Sequence, residues 1–154
     1  LAIAACRPTS RGSVHAISVD STDKPAINQN FLSTEQDIQE AIAGSRLMRQ
    51  IVQSTALQQV ITEETIPGTQ VQSDTEMLEF FRANAGSIYH LCGSCAMGKT
   101  PEDSVVDSQL HVHGVASLRV VDASVFPNVT SGNINAPVMM LPERAAELIL
   151  QAKY

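Results

Sequence analysis

The spacing of apolar residues predicts a short strand and two helices in the first half of the chain. Apolar and polar residues alternate from Ser13 to Asp20, as they do in a half-buried strand. A helix is predicted next, with Ser33 and Gln36 as a possible capping box. Its apolar positions recur near the helical period, at Ile38, Ala41, Ile42, Leu47, Met48, Ile51 and Val52. A second capping box, Ser73 with Glu76, predicts a helix that presents Met77, Leu78 and Phe81 on one face.

The second half predicts a glycine-rich turn, a buried strand and a final helix. Leu118 to Val121 is a short β-branched run with the length of a buried strand. Pro137 marks the start of the last helix, because the first turn of a helix does not use the N–H that proline lacks. Pro142 is expected to kink this helix. Its buried stripe is predicted at Val138, Leu141, Ala145, Leu148 and Ile149.

Composition and charge exclude some classes of partner. Of the 154 residues 44% are hydrophobic and 17% charged, which is typical of a globular chain. The net charge of −6 and the absence of a basic run argue against nucleic acid. No apolar run approaches the roughly 20 residues that span a bilayer, so no membrane partner is expected. The sequon Asn128-Val129-Thr130 is compatible with secretion, and nothing in the sequence excludes a cytoplasmic protein.

Two side chains could carry out alcohol oxidation, which removes a hydroxyl proton while a hydride leaves the same carbon. His90 precedes the turn Cys92-Gly93-Ser94-Cys95 and is the candidate base. An imidazole, with an ordinary pKa near ~6.5, suits that task at neutral pH. Asn133 follows Gly132 and is the second candidate, because a neutral amide can hold the substrate oxygen without competing for the proton. Taken alone, each residue is more often structural.

The Cys92-x-x-Cys95 pair raises a different interpretation, a small zinc or thiol-redox module that is complete as it stands. His111 and His113 could add ligands to a metal. The redox interpretation is weakened because the residues after Cys95 do not begin a helix. The zinc interpretation lacks a second spaced cysteine pair. We therefore expect no metal site and regard the cysteines as packing residues.

Three segments occur in an order that resembles one enzyme family. They are Tyr89-His90-Leu91-Cys92-Gly93-Ser94-Cys95-Ala96-Met97-Gly98, Leu118 to Pro127 with its Asp-Ala-Ser turn, and Ser131-Gly132-Asn133-Ile134-Asn135-Ala136-Pro137. Together with Arg7-Pro8-Thr9-Ser10-Arg11-Gly12, this pattern resembles the C-terminal part of the glucose-methanol-choline (GMC) flavin oxidoreductases.

The resemblance implies an FAD-dependent oxidoreductase that acts on small-molecule alcohols. The resemblance implies that His90 is the base and that Asn133 is its partner, a His–Asn pair like that of the choline-oxidising type. It further implies FAD contacts at Asp122, Ala123, Ile134 and Asn135. A lyase or cyclase of the same fold, with a non-redox flavin, is the alternative.

The implied architecture is α+β. Residues 1–88 would form part of the substrate-binding domain, an antiparallel sheet with helices. Residues 89–154 would supply the catalytic loop and the strand and helix that complete an FAD-binding α/β domain. None of the eight glycines forms a Gly-x-Gly-x-x-Gly phosphate loop. We therefore expect the chain to be a fragment that lacks the N-terminal FAD-binding portion and is inactive by itself.

Overall fold

Residues 2–152 are described by the computed structural model, and they divide into two units. Unit 1 comprises residues 2–5 and Thr9–Ile88, and unit 2 comprises Cys6–Pro8 and residues 89–152. Together they contain a two-stranded antiparallel sheet and four α-helices, which confirms the predicted α+β class. The elements are β1 Ser13–His15, β2 Ala26–Asn28, α1 Glu35–Val52, α2 Thr55–Gln58, α3 Asp74–Asn84, a 3₁₀ turn Ala123–Val125 and α4 Asn135–Gln151.

The sheet of unit 1 is shorter than predicted. β1 ends at His15, which pairs with Ala26, and Val14 pairs with Ile27. The prediction of a strand reaching Asp20 is wrong, because the Asp20 carboxylate accepts hydrogen bonds from Thr22 and closes a turn. The predicted half-burial is wrong as well, since every residue of both strands is exposed. A two-stranded ribbon has little surface on which to bury its own side chains.

Helix α1 begins one residue later than the predicted capping box. Its N-cap is Thr34, whose hydroxyl accepts a hydrogen bond from the backbone N–H of Asp37. Ser33 lies before the helix, and its own N–H donates to Ser10 Oγ at 3.0 Å. The inner face of the helix buries Ile42 but also Asp37 and Ser45. The cap therefore lies one residue further along the chain than the local pattern suggested.

The capping box predicted for α3 is confirmed. Ser73 Oγ accepts a hydrogen bond from the Glu76 N–H at 3.2 Å, and Glu76 Oε2 accepts one from the Ser73 N–H at 2.9 Å. Met77 is buried, as predicted. An ion pair between Arg46 of α1 and Asp74 of α3 joins the two helices. Reciprocal caps rely only on residues three positions apart, which is why the sequence revealed this one.

Unit 2 is organised around five buried apolar residues: Val106, Leu110, Val125, Leu141 and Ala145. The last two lie on α4 and confirm the predicted stripe at those positions, whereas Ile149 is 38% exposed. The helix begins at Asn135, two residues before Pro137, and continues past Pro142. Among the described residues, no helix is long and apolar enough to cross a membrane.

The predicted strand from Leu118 to Val121 is not a regular strand. Only Arg119 in this run forms a bridge, with His111, while Val120 N–H donates to the carbonyl of Leu110. Buried strands of open sheets are held by ladders on their flanks. Within the described residues this segment has a single short bridging partner, so it is extended without being part of a sheet.

Candidate active site

A concavity of about 330 Å³ lies in unit 2, and His90 forms part of its wall. Three parts of the unit contribute to it: the segment around His90, the 3₁₀ turn and the start of α4. The lining residues are Tyr89, His90, Leu91, Ala123, Ile134, Asn135 and Val138. The structure therefore brings together four of the side chains that the sequence singled out, His90, Ala123, Ile134 and Asn135.

Backbone hydrogen bonds join the turn after His90 to the 3₁₀ turn. The carbonyl of Ser124 accepts from the N–H groups of Gly93 and Cys95, both at 3.0 Å. Gly93 has a φ of +93°, a conformation that a side chain would disfavour. The glycine-rich turn thus bends the chain so that two donors, separated by one residue, reach one carbonyl. This pairing holds the His90 segment beside Ala123.

The residues that flank His90 line the concavity and are exposed to solvent. Tyr89 is 90% exposed and has a φ of +64°, in the left-handed region that a bulky residue seldom occupies. Leu91 is also exposed, whereas His90 between them is half-buried. Such backbone conformations persist where the surrounding structure fixes them, and they are often found at functional sites. The imidazole is thereby partly shielded while its neighbours remain in solvent.

The N-terminus of α4 gives the wall a chemical feature that differs from the imidazole of His90. Its N-cap residue is Ile134, which is 7% exposed, and no side chain caps the first turn. Pro137, in the same turn, has no N–H to donate. A helix N-terminus carries about half a positive charge and N–H groups that lack partners within the helix. This end of the helix can therefore stabilise a polar or negatively charged group placed in the concavity.

Asn133 and Asp122 do not line the concavity. Asn133 is exposed, two residues before α4 begins. The Asp122 carboxylate accepts a hydrogen bond from the Ser124 N–H at 2.7 Å and so caps the 3₁₀ turn. Asp122 holds Ala123 in place through this bond. Substrate binding by Asn133 and cofactor contact by Asp122 remain predictions.

Sequence reasoning missed three lining residues: Tyr89, Leu91 and Val138. The first two could have been expected from their position on either side of His90. Val138 was assigned only to the buried stripe of α4. It lies four residues after Ile134, so the two share one face of the helix. The helical spacing could therefore have predicted a contact between that face and a ligand.

The two cysteines of the Cys92-x-x-Cys95 pair are not bonded to each other. Cys92 and Cys95 are both thiols and both half-buried. The backbone of Cys95 contributes to the turn described above, through its bond to the Ser124 carbonyl. These contacts agree with a packing role for the pair.

His111 and His113, which could have added zinc ligands, have other partners. His111 Nδ1 lies 3.3 Å from Asp107 Oδ2, and His113 Nε2 lies 3.0 Å from Ser104 Oγ. Burial raises the pKa of Asp107, but hydrogen bonds from His111 and Gln109 outweigh it and lower the pKa below its usual value. Across residues 2–152 no three His, Cys, Asp or Glu side chains form a group that could hold a metal. Nothing in this part of the chain favours a zinc module.

Comparison with known proteins gives a consistent result. The family described as GMC oxidoreductase matches residues 8–142. The chain is 43% identical over 144 residues to an alcohol dehydrogenase [acceptor] from Pseudomonas putida, covering 94% of this chain. It is 46% identical over 147 residues to an oxygen-dependent choline dehydrogenase from Pseudomonas savastanoi pv. phaseolicola, covering 96% of this chain. In both cases it spans only 26% of the relative's length.

The fold is similar to that of solved structures. An FAD-dependent oxidoreductase from Chaetomium thermophilum superposes with a TM-score of 0.87 at 31% sequence identity. The match covers 96% of this chain and 26% of that one. The chain therefore matches about a quarter of a longer protein, by sequence and by structure.

Proposed function

The chain belongs to the GMC oxidoreductase family, and on that premise we propose that it forms one wall of the active site of an FAD-dependent alcohol oxidoreductase. The observation that carries the proposal is the position of His90. It shares one concavity with the uncapped N-terminus of α4. A proton acceptor and a site for negative charge thus face the same space, as oxidation of an alcohol requires.

The lining of the concavity fits a flavin ring. Leu91, Ala123, Ile134 and Val138 offer apolar surface, whereas the start of α4 offers N–H groups and a partial positive charge. An isoalloxazine combines an apolar aromatic body with a polar pyrimidine edge, so both features have a counterpart. Ala123, Ile134 and Asn135 would hold this group. The chemistry that bound FAD supplies is acceptance of the hydride from the alcohol carbon.

His90 has the role of removing the hydroxyl proton. The half-buried imidazole lines the concavity, so the hydroxyl of an alcohol bound there would be within its reach. Asn133 has the role of donating a hydrogen bond to the alcohol oxygen as negative charge develops there. This role is supported by the position of Asn133 in the exposed segment that leads into α4, two residues before the helix begins.

The remainder of the enzyme comes from outside this chain. Because the chain spans about a quarter of its curated relatives, we assign the FAD phosphate-binding portion to the rest of the protein. The substrate is a small alcohol. Choline is the first to test, because one relative is named for it and because the His–Asn pair resembles the choline-oxidising type.

The test is replacement of His90 in the full flavin-bound protein. His90→Ala should reduce kcat at least about 100-fold, because general base catalysis contributes that much or more. The flavin absorbance of the purified variant should stay at the wild-type level, since Ala123, Ile134 and Asn135 are unchanged. Val115→Ala, at an exposed position in the same unit, is the control and should retain full activity. Near-normal turnover of His90→Ala would refute the proposal.

The lyase alternative is separated by the redox state of the flavin. Under anaerobic conditions, choline or another alcohol substrate should bleach the flavin absorbance of the wild-type protein. A lyase with a structural flavin would convert its substrate while the flavin stayed oxidised. No bleaching with a substrate that is turned over would therefore favour the lyase.

A further inference from the structure

We infer that Arg7 is a positioning residue for Asn133, a role that rests on the proposed function. The guanidinium Nε of Arg7 donates a hydrogen bond to Ser131 Oγ at 2.6 Å. Ser131 lies two residues before Asn133, so the Cα atoms of these two residues are at most about 7 Å apart. A charged donor makes a short and strong hydrogen bond. Arg7 thereby fixes the start of the segment that carries the amide.

The placement of Arg7 in the chain supports this role. Cys6–Pro8 belongs to unit 2, whereas the residues on either side of this short segment belong to unit 1. Arg7 and Ser131 are 124 residues apart in sequence. The three-residue segment therefore brings a guanidinium into unit 2 at the loop that precedes α4.

The loop that Arg7 contacts is otherwise loosely packed. Ser131, Gly132 and Asn133 are all exposed, and a Cβ added to Gly132 would meet no atom within 4 Å. Ser131 has a φ of +59°, a left-handed conformation that is costly for a residue with a side chain. A loop with few contacts adopts such a conformation when a specific bond holds it. The bond from Arg7 to the Ser131 hydroxyl meets that requirement.

The consequence concerns the precision of the active site. A displacement of about 1 Å in a positioned group can reduce the rate about 100-fold. Without the bond from Arg7, the loop samples other conformations and the Asn133 amide spends less time at the alcohol oxygen. The loss affects the stage at which charge develops on that oxygen, so kcat falls more than KM changes.

The experiment uses the full flavin-bound protein with choline, or the best alcohol found, as substrate. Arg7→Met and Ser131→Ala should each lower kcat about tenfold, with less than about a twofold change in KM. The double variant should be no worse than either single variant, because both remove the same bond. Arg144→Met is the matched control: Arg144 forms an exposed ion pair with Glu147 within α4, and its loss should leave kcat unchanged.

A second background distinguishes positioning from general stability. In Asn133→Ala, adding Arg7→Met should change kcat by less than about twofold, because the side chain that Arg7 positions has been removed. If the two losses multiply instead, Arg7 acts independently of Asn133 and the inference is overturned. Ser131→Ala keeps the arginine, so it tests the same bond should Arg7→Met fold poorly.

Hydrogen exchange gives a readout that does not depend on activity. In Arg7→Met and Ser131→Ala, the amides of residues 131–135 should exchange faster than in the wild type, and in Arg144→Met they should not. Unchanged exchange in both loop variants would overturn the inference. If Asn133→Ala alone kept full kcat, the role proposed for Asn133 would be wrong, while faster exchange would still establish the anchor.

Discussion

The carboxylate of Asp37 accepts a hydrogen bond from the backbone N–H of Thr9 at 2.7 Å and another from that of Ser10 at 2.8 Å. Asp37 is only 4% exposed although it lies in the first turn of α1. Burial raises the pKa of this carboxyl, but the hydrogen bonds from Ser10 and Thr9 together outweigh it and lower the pKa to about 2. The segment before β1 is thus tied to α1 by a buried, ionised side chain.

This relationship predicts acid-sensitive stability. Because the pKa of Asp37 is lower in the folded state than the usual 3.8, the stabilisation is present above pH 4 and is lost as the pH falls towards 2. Asp37→Asn should reduce the free energy of unfolding by about 2 kcal/mol at pH 7. The difference from the wild type should shrink below pH 4, as measured by denaturant unfolding across that range.

Glu40→Gln is the matched control for Asp37, since Glu40 is an exposed acid on the same helix. Its curve should follow that of the wild type at every pH. A difference between Asp37→Asn and the wild type that stayed constant down to pH 2 would contradict the charge-dependent account.

Truncation of Leu141 tests the core beneath α4. Leu141 is 5% exposed and packs in the cluster with Val106 and Val125. Leu141→Ala should destabilise the protein by about 2–5 kcal/mol, because it removes buried methyl groups and leaves a cavity. Leu150→Ala, on the same helix but 60% exposed, should cost far less in the same thermal unfolding experiment. Equal losses for the two variants would show that the buried stripe is misplaced.

The capping box of α3 predicts a smaller effect. Ser73→Ala removes the acceptor for the N–H at the third helical position and should cost about 1 kcal/mol of stability. Thr75→Ala alters the same turn without removing a cap, and urea unfolding should find it near wild type. A Ser73 variant as stable as the Thr75 variant would be evidence against the box.

Gly98 is required by a close approach of Ser104. A Cβ at position 98 would lie 2.6 Å from Ser104 Cβ, a distance at which one of the two segments has to move. Gly98→Ala should therefore destabilise the protein by about 1–3 kcal/mol. Gly86→Ala, where a Cβ would meet nothing within 4 Å, is the control and should be neutral or slightly stabilising. Thermal unfolding measures the stability of both variants. A Gly98→Ala variant as stable as Gly86→Ala would contradict the prediction.

The cysteines are predicted to be dispensable for chemistry. In the full flavin-bound protein, replacing Cys92 and Cys95 together by alanine should leave kcat within about twofold of the wild type. The reason is that the described contact of this pair to the 3₁₀ turn is made by the backbone N–H of Cys95, which the change preserves. A loss comparable to that of His90→Ala would instead assign a thiol to the reaction.

The sequence predicted best what depends on neighbours a few residues apart. The Ser73–Glu76 box and the buried positions Leu141 and Ala145 needed only helical spacing, and the structure confirms them. The cap of α1 was misplaced by one residue because Ser33 and Thr34 are both suitable N-cap residues, and local spacing does not separate them. The predicted strand at Leu118–Val121 lacks a ladder, which no local pattern reports.

The candidate site also contains residues that local motifs predicted and a contact that they could not predict. His90, Ala123, Ile134 and Asn135 were found through their motifs, and the fold brings them to one concavity. The bond between Arg7 and Ser131 could not be predicted, because both residues lie in polar loops and only the folded chain brings them together.

Because Cys6–Pro8 belongs to unit 2, it affects the design of chimaeras between this protein and its relatives. A chimaera that exchanged only residues 89–152 would combine the Ser131 loop of one parent with the arginine segment of another. Exchange of residues 6–8 together with residues 89–152 would keep the hydrogen-bonded pair of one parent intact. Turnover is therefore expected to be retained more fully with a two-segment exchange than with a single crossover at residue 88.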